Sequence, residues 1–120
     1  MNNLYHQIGH DNILKIAHLF YEGIKEDEIL KPMYPKDLIP AEERFALFLV
    51  QVFGGPTTYS DQRGHPRLRM RHFPYEIDMK ARENWMLHIT NAMNAIELEE
   101  GVRASMMTYF ERASVHMMNK

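Results

Sequence analysis

Proline and glycine cut this chain into short stretches, and within each stretch the apolar residues recur at three- and four-residue spacing, the period of a helix and not of a strand. Tyr5 and Ile8 make a first short apolar pair, ended by Gly9. Asp11 is then expected to cap a helix that puts Ile13, Ile16, Ala17, Phe20 and Ile24 on one stripe. Lys25-Glu26-Asp27-Glu28 reads as a solvated face or turn, and Pro32 and Pro35 bracket Met33 and Tyr34 in an irregular corner. A second long helix is expected from Pro40 through Phe45, Phe48, Leu49 and Val52 to Gly54-Gly55-Pro56, with proline at its start and glycine past its end. Residues 56–66 show no apolar periodicity and read as an extended loop. Pro66 can open a short helix over residues 67–72, which Pro74 stops at or near His72. Asp78 is expected to cap a long helix with a stripe of Ala81, Trp85, His88 or Ile89, Ala92 and Ile96. After a break around Glu97 to Gly101, a last helix carries Val102, Met106, Tyr109 or Phe110, Ala113 and Met117. Nothing longer than Tyr75-Glu76-Ile77 competes as a strand, so the expected class is all-α, with about five or six helices.

Composition narrows the chemistry. A chain of 120 residues fits one domain, 1–120. It has no cysteine, which excludes disulfides, thiolate zinc sites, iron–sulfur clusters and a thiol nucleophile. Any metal must be held by nitrogen, oxygen or a methionine sulfur. The net charge of −2 argues against general attachment to nucleic acid or to an anionic membrane. No apolar run reaches the ~18 residues of a membrane span, and the first residues lack a secretory pattern, so a cytoplasmic location is expected. Of ten methionines, Met86, Met93, Met106, Met107, Met117 and Met118 fall in the last two helices, where they suit packing around an awkward shape.

Arg63, Arg67, Arg69 and Arg71 put four arginines within nine residues, with His65 and His72 interleaved. Such a cluster fits a solvated patch, a compact carboxylate or phosphate ligand, or nucleic acid; the last lacks interleaved aromatics for stacking. His72 ends the short proline-bracketed helix. An imidazole there, facing an apolar cavity, is a good neutral ligand for iron or zinc, with an arginine beside it for an acidic substituent; it equally fits a surface histidine. His6 and His10, four apart, could hold zinc or nickel with a third histidine, although Gly9 interrupts their helix.

Residues 54–72, Gly-Gly-Pro-Thr-Thr-Tyr-Ser-Asp-Gln-Arg-Gly-His-Pro-Arg-Leu-Arg-Met-Arg-His, strongly resemble the signature of the group II truncated haemoglobins. Phe20-Tyr21, Met33-Tyr34-Pro35, Glu42-Glu43-Arg44 and Trp85, thirteen residues after His72, agree with it, and the likeness runs from Tyr5 to His116-Met117-Met118-Asn119. The resemblance implies a shortened globin fold, a two-over-two helical sandwich, around haem b (iron protoporphyrin IX). It implies His72 as the iron ligand, with the sixth position open to a diatomic molecule, and Tyr21, Tyr34 and Trp85 as hydrogen-bond donors to dioxygen. It points to Arg44, Tyr59 and Arg71 for the propionates, and to Phe45, Phe48, Leu49, Phe53, Leu68, Tyr75 and Ile77 as walls for the macrocycle. Ala41 stands where many globins carry a distal histidine, leaving ligand stabilisation to the two phenols and the indole. Phe45, one turn on, replaces a common smaller aliphatic residue and is expected to narrow the space over the iron.

The implied activity is binding of dioxygen, nitric oxide, carbon monoxide or peroxide, for oxygen binding and transport or for redox chemistry on the ligand. Several donors favour slow release, which suits nitric oxide dioxygenation or peroxidase turnover; with no flavin or nicotinamide motif, such an enzyme needs an external reductase. No nucleic-acid or membrane partner is expected, and the chain is expected to be a monomer or a homodimer. The competing reading is a non-haem helical module that binds nucleic acid or an acidic partner through residues 63–72.

Overall fold

The structure is a computed structural model and describes residues 3–67, 70, 72 and 74–120. In chain order the helices are α1 (Leu4–Ile8), α2 (His10–Lys25), a 3-10 turn (Lys31–Met33), α3 (Ile39–Val52), α4 (Thr58–Arg63), α5 (Met79–Asn94) and α6 (Glu100–His116). Residues 70 and 72 are also helical, and no strand occurs among the described residues. No helix among them is long and apolar enough to cross a membrane.

The long helices follow their apolar stripes. On α2 the buried residues are Ile13, Ile16, Ala17, Phe20, Tyr21 and Ile24, and this face lies against both α3 and α5. On α5 the buried residues are Ala81, Ile89, Ala92 and Met93, and on α6 Val102, Met106, Phe110, Ala113 and Ser114. Pairs α2/α3 and α5/α6 thus enclose one core, with α1 closing it against α2 and α6. Met93 and Met106 are fully buried there. Asp78 caps α5 by accepting from the Ala81 amide at 2.9 Å. Across the break after α5, Arg103 donates to the carbonyls of Met93 (2.8 Å) and Ile96 (2.6 Å), satisfying acceptors that the helix end leaves open.

Several local expectations need correction. Gly9, at φ 90°, is the N-cap of α2, so Asp11 lies in the first turn instead of capping it; the chain turns one residue earlier, where only glycine tolerates that backbone without strain. Residues 58–63 are helical, not an extended loop. A single buried residue, Tyr59, anchors this helix, and Gln51 of α3 grips it by accepting from the Ser60 amide (2.9 Å) and donating to the Ser60 hydroxyl (2.7 Å). Arg67, with φ 47°, is not helical, so the helix expected over residues 67–72 does not include it. Leu68, Arg69, Arg71 and Phe73 lie outside the described residues. The turn at 25–28 is exposed at Lys25, Glu26 and Glu28, but Asp27 is only 8% exposed. Four donors compensate the burial of its carboxylate: the amides of Ile29 and Leu30, Asn84 Nδ2 and His88 Nε2.

Candidate functional site

A cavity of about 450 Å³ opens between α2, the 31–35 corner, α3, α5, α6 and the segment around His72. That volume lies within the ~300–1,000 Å³ of typical small-molecule and cofactor sites. Three polar aromatic side chains reach it from three separate elements: Tyr21 from α2, Tyr34 from the corner and Trp85 from α5.

Tyr21 is 5% exposed. Burial pushes its phenol pKa well above the ordinary value, Tyr34 adds to the rise, and the Arg44 guanidinium partly offsets it. Burial raises Tyr34 likewise, opposed by a favourable interaction with the Trp85 indole. Both phenols therefore stay protonated at any physiological pH and keep an O–H to donate. Their rings stand perpendicular, with centroids 5.5 Å apart, and Phe45 meets the Tyr21 ring edge-on at 5.9 Å. Phe20 lies behind, 5.0 Å from Phe45 and 5.5 Å from Trp85, which in turn meets Phe110 at 6.0 Å. Edge-to-face contacts of this kind fix ring orientation as well as bury area. Ala41, on the first turn of α3, lines the same cavity and leaves space where a longer side chain would intrude.

His72 also lines the cavity and is half-buried. Its carbonyl accepts from the Tyr75 amide at 3.0 Å, closing a tight turn before Ile77. The other end of the chain then clips this turn. Asn119 donates through Nδ2 to the Tyr75 carbonyl (2.7 Å) and, more weakly, to that of His72 (3.5 Å); its Oδ1 accepts from the Ile77 amide (2.9 Å). The backbone amide of Asn119 completes the clip by donating to the Ile77 carbonyl at 3.0 Å.

Of the other residues expected at the site, Arg44, Phe45, Phe48, Leu49, Tyr59, Tyr75 and Ile77 line the cavity. Phe53 is buried one layer back, edge-on to Tyr109 (5.5 Å) and Phe110 (5.8 Å). Leu68 and Arg71 lie outside the described residues. The structure adds cavity residues that sequence reasoning did not assign to the site. Arg63 sits 6.0 Å over the Tyr59 ring, and Arg82 donates to the Ser114 hydroxyl at 3.0 Å. Tyr109 lines the wall too, and burial pushes its phenol up to about 12; its pairing with Phe110 on an apolar stripe marked it only as core. No group of three metal-binding carboxylates and imidazoles occurs among the described residues, and His10 pairs with the Tyr5 hydroxyl at 2.9 Å.

A partly open, largely apolar space whose described wall carries one imidazole, three protonated donors and guanidinium groups suits a flat apolar group that carries a metal and carboxylates. Known proteins agree in kind. The family model of the bacterial-like globins matches residues 3–119. Group 2 truncated hemoglobin YjbI of Bacillus subtilis (strain 168) is 33% identical over 119 residues, which cover 99% of this chain and 90% of that protein. Among solved structures, the hemoglobin of the thermophilic phototrophic bacterium Chloroflexus aurantiacus superposes with a TM-score of 0.97 at 42% identity, covering 100% of both chains. The truncated oxygen-avid haemoglobin of Bacillus subtilis superposes with a TM-score of 0.94 at 33% identity, covering 98% of this chain and 100% of that one.

Proposed function

The chain is a group II truncated haemoglobin of the bacterial-like globin family, with the two-over-two helical globin fold, and on that premise we propose that it binds haem b through His72 and holds dioxygen tightly. When bound, haem would supply an iron that one imidazole of the protein can hold and that can take a diatomic molecule. The residues fit that group. His72 is the described imidazole on the cavity wall, Phe45, Phe48, Leu49 and Ile77 give it apolar sides, and Arg44, Arg63 and the Tyr59 hydroxyl are suited to carboxylates. Arg71, beside His72, remains the further propionate partner implied by the family likeness.

The observation that carries the reading is the convergence of Tyr21, Tyr34 and Trp85 on the cavity that His72 lines. Each donates a proton to an acceptor without losing it, because burial keeps both phenols neutral and an indole N–H does not titrate. Three donors on the wall of one low-dielectric space stabilise a partly negative ligand and slow its escape. Retention therefore dominates over delivery, a property shared in name with the oxygen-avid relative from Bacillus subtilis.

Absorption spectra of the haem-loaded protein test the assignment. The ferrous form is expected to show five-coordinate imidazole ligation and to convert to oxy and carbonyl forms, and His72→Ala is expected to lose that ligation. A His72→Ala protein with an unchanged five-coordinate imidazole spectrum would falsify the assignment of His72. Tyr21→Phe, Tyr34→Phe and Trp85→Phe should each speed oxygen release by about threefold to tenfold, the scale of one hydrogen bond; unchanged release in all three removes the donor role.

A further inference from the structure

Behind the aromatic wall, and not lining the cavity, lies a polar cluster in which the buried Asp27 carboxylate meets Asn84 and His88. Asp27 follows α2 and begins the corner that leads to Tyr34. Its Oδ1 accepts from the amides of Ile29 and Leu30, both at 2.9 Å, and its backbone carbonyl accepts from the Lys31 amide at 2.8 Å. The corner continues in register from there: the Met33 amide donates to the Leu30 carbonyl (2.8 Å) and the Tyr34 amide to that of Lys31 (3.1 Å). Asp27 thus sets the first turn of the short path that ends at Tyr34.

The same carboxylate reaches α5. Its Oδ2 accepts from His88 Nε2 at 2.6 Å, and Oδ1 accepts from Asn84 Nδ2 at 3.3 Å. Asn84 and His88 are one helical turn apart and bracket Trp85 in sequence. The His88 ring packs against Gly23 of α2, so closely that a methyl group at Gly23 would come within 2.3 Å of His88 Nδ1. The elements that carry Tyr21, Tyr34 and Trp85 therefore meet at one carboxylate. Apolar packing of similar volume would stabilise such a junction about as well, so a buried carboxylate held by backbone and side-chain donors is better explained by the single geometry it imposes than by stability.

We propose that Asp27 is a positioning residue for the ligand donors: by fastening the Tyr34 corner to the Trp85 helix through His88 and Asn84, it sets how fast a bound diatomic ligand escapes. This rests on the reading of Tyr34 and Trp85 as donors to that ligand. A structural carboxylate at the start of a turn would support folding alone; a positioning one also controls the aim of a side chain seven residues away.

The test uses the haem-loaded protein with Asp27→Ala, Asp27→Asn, Tyr34→Phe, Trp85→Phe and the Asp27→Asn/Tyr34→Phe pair. Asp27→Asn keeps an oxygen for the Ile29 and Leu30 amides and removes the charge that holds His88, so it remains informative where Asp27→Ala fails to fold. Oxygen release is followed by stopped flow, and amide exchange of residues 29–34 by mass spectrometry in the carbonyl form. Asp27→Asn is expected to speed release by about fivefold, to raise exchange over residues 29–34, and to add less than its own factor in the Tyr34→Phe background. Faster exchange with wild-type release, while Tyr34→Phe and Trp85→Phe do accelerate release, overturns the positioning role, as do factors that simply multiply in the pair. Unchanged release in Tyr34→Phe and Trp85→Phe instead overturns the donor reading. Exchange still decides the fastening in that case: wild-type protection of residues 29–34 in Asp27→Asn overturns it.

Discussion

Tyr34 and His72 reach the same cavity from outside the long helices, yet the corner bearing Tyr34 is fastened by a buried carboxylate, whereas the turn that follows His72 is clipped by a neutral amide near the C-terminal end. The two fastenings open at different cost. Separating Asp27 from His88 leaves a charge in an environment only 8% exposed, where water cannot readily replace the lost partner. Releasing Asn119 uncovers an amide and the carbonyls of residues beside exposed Pro74, Tyr75 and Glu76, where water substitutes for most of what is lost. The ligand-facing wall is thus locked into the helical core, and the wall bearing the imidazole is attached to it from outside. The described contacts thus hold the Tyr34 corner through a buried carboxylate and the turn after His72 through amide hydrogen bonds nearer to water.

The strongest way to break the contrast is at Gly23. Gly23→Ala places a methyl group 2.3 Å from His88 Nδ1, and the ring cannot yield without leaving Asp27. Alanine is the better helix former, by about 1 kcal/mol, so propensity alone predicts stabilisation. The overlap is expected to outweigh it and to destabilise the protein by about 2 kcal/mol net. Denaturant unfolding checks the sign: a Gly23→Ala protein as stable as wild type or more so means that His88 has room to move and that the corner is not locked.

The contrast also marks what was readable in the sequence. Stripes such as Ile13, Ile16, Phe20 and Ile24 announce α2 because each member faces the same core. Helix α4 has one such residue, Tyr59, and depends on Gln51 gripping Ser60, a polar contact that leaves no period to detect. Asp27 sits in a Lys-Glu-Asp-Glu run that has every mark of a solvated turn; its burial is decided by Asn84 and His88, 57 and 61 residues away. Asn119 is hidden for the same reason, with partners 42 to 47 residues back. His72, Tyr21, Tyr34 and Trp85 were singled out as a set through their family likeness, since apolar periodicity alone marks Trp85 only as core and leaves His72 equally at home on a surface.

A smaller effect is expected at the clip. Asn119→Ala removes the side-chain bonds to Tyr75, His72 and Ile77 but keeps the backbone bond from its own amide to the Ile77 carbonyl, so the turn keeps one of its four bonds to this residue. The expected loss is about 1 kcal/mol of stability, with haem transferring to an acceptor globin about threefold faster. Oxygen release should remain within about twofold of wild type, because no donor to the ligand is moved. An Asn119→Ala protein that releases oxygen as fast as Asp27→Asn would erase the distinction between the two walls.

The smallest effect is one of pH, and its sign follows from which state binds the proton. Burial of Asp27 by itself raises its carboxyl, but hydrogen bonds from His88, Leu30, Ile29 and Asn84 together outweigh that and hold it below the ordinary 3.8. His88 and Asn84 from α5 are the side chains that donate to it. A depressed folded value means that the unfolded chain takes up the proton first on acidification. The stability Asp27 contributes is therefore complete above about pH 4 and is lost as pH falls through the lowered folded value. The clip has no such dependence, since an amide does not titrate. Denaturant midpoints of wild type, Asp27→Asn and Asn119→Ala are compared at the same pH, from 5 downward, so that acid effects common to all three cancel. Below about pH 4 the wild type to Asp27→Asn gap should shrink while the Asn119→Ala gap holds. An Asp27→Asn gap that stays constant through that range would mean that the carboxylate acts as a neutral hydrogen-bond acceptor, and that charge has no part in locking the corner.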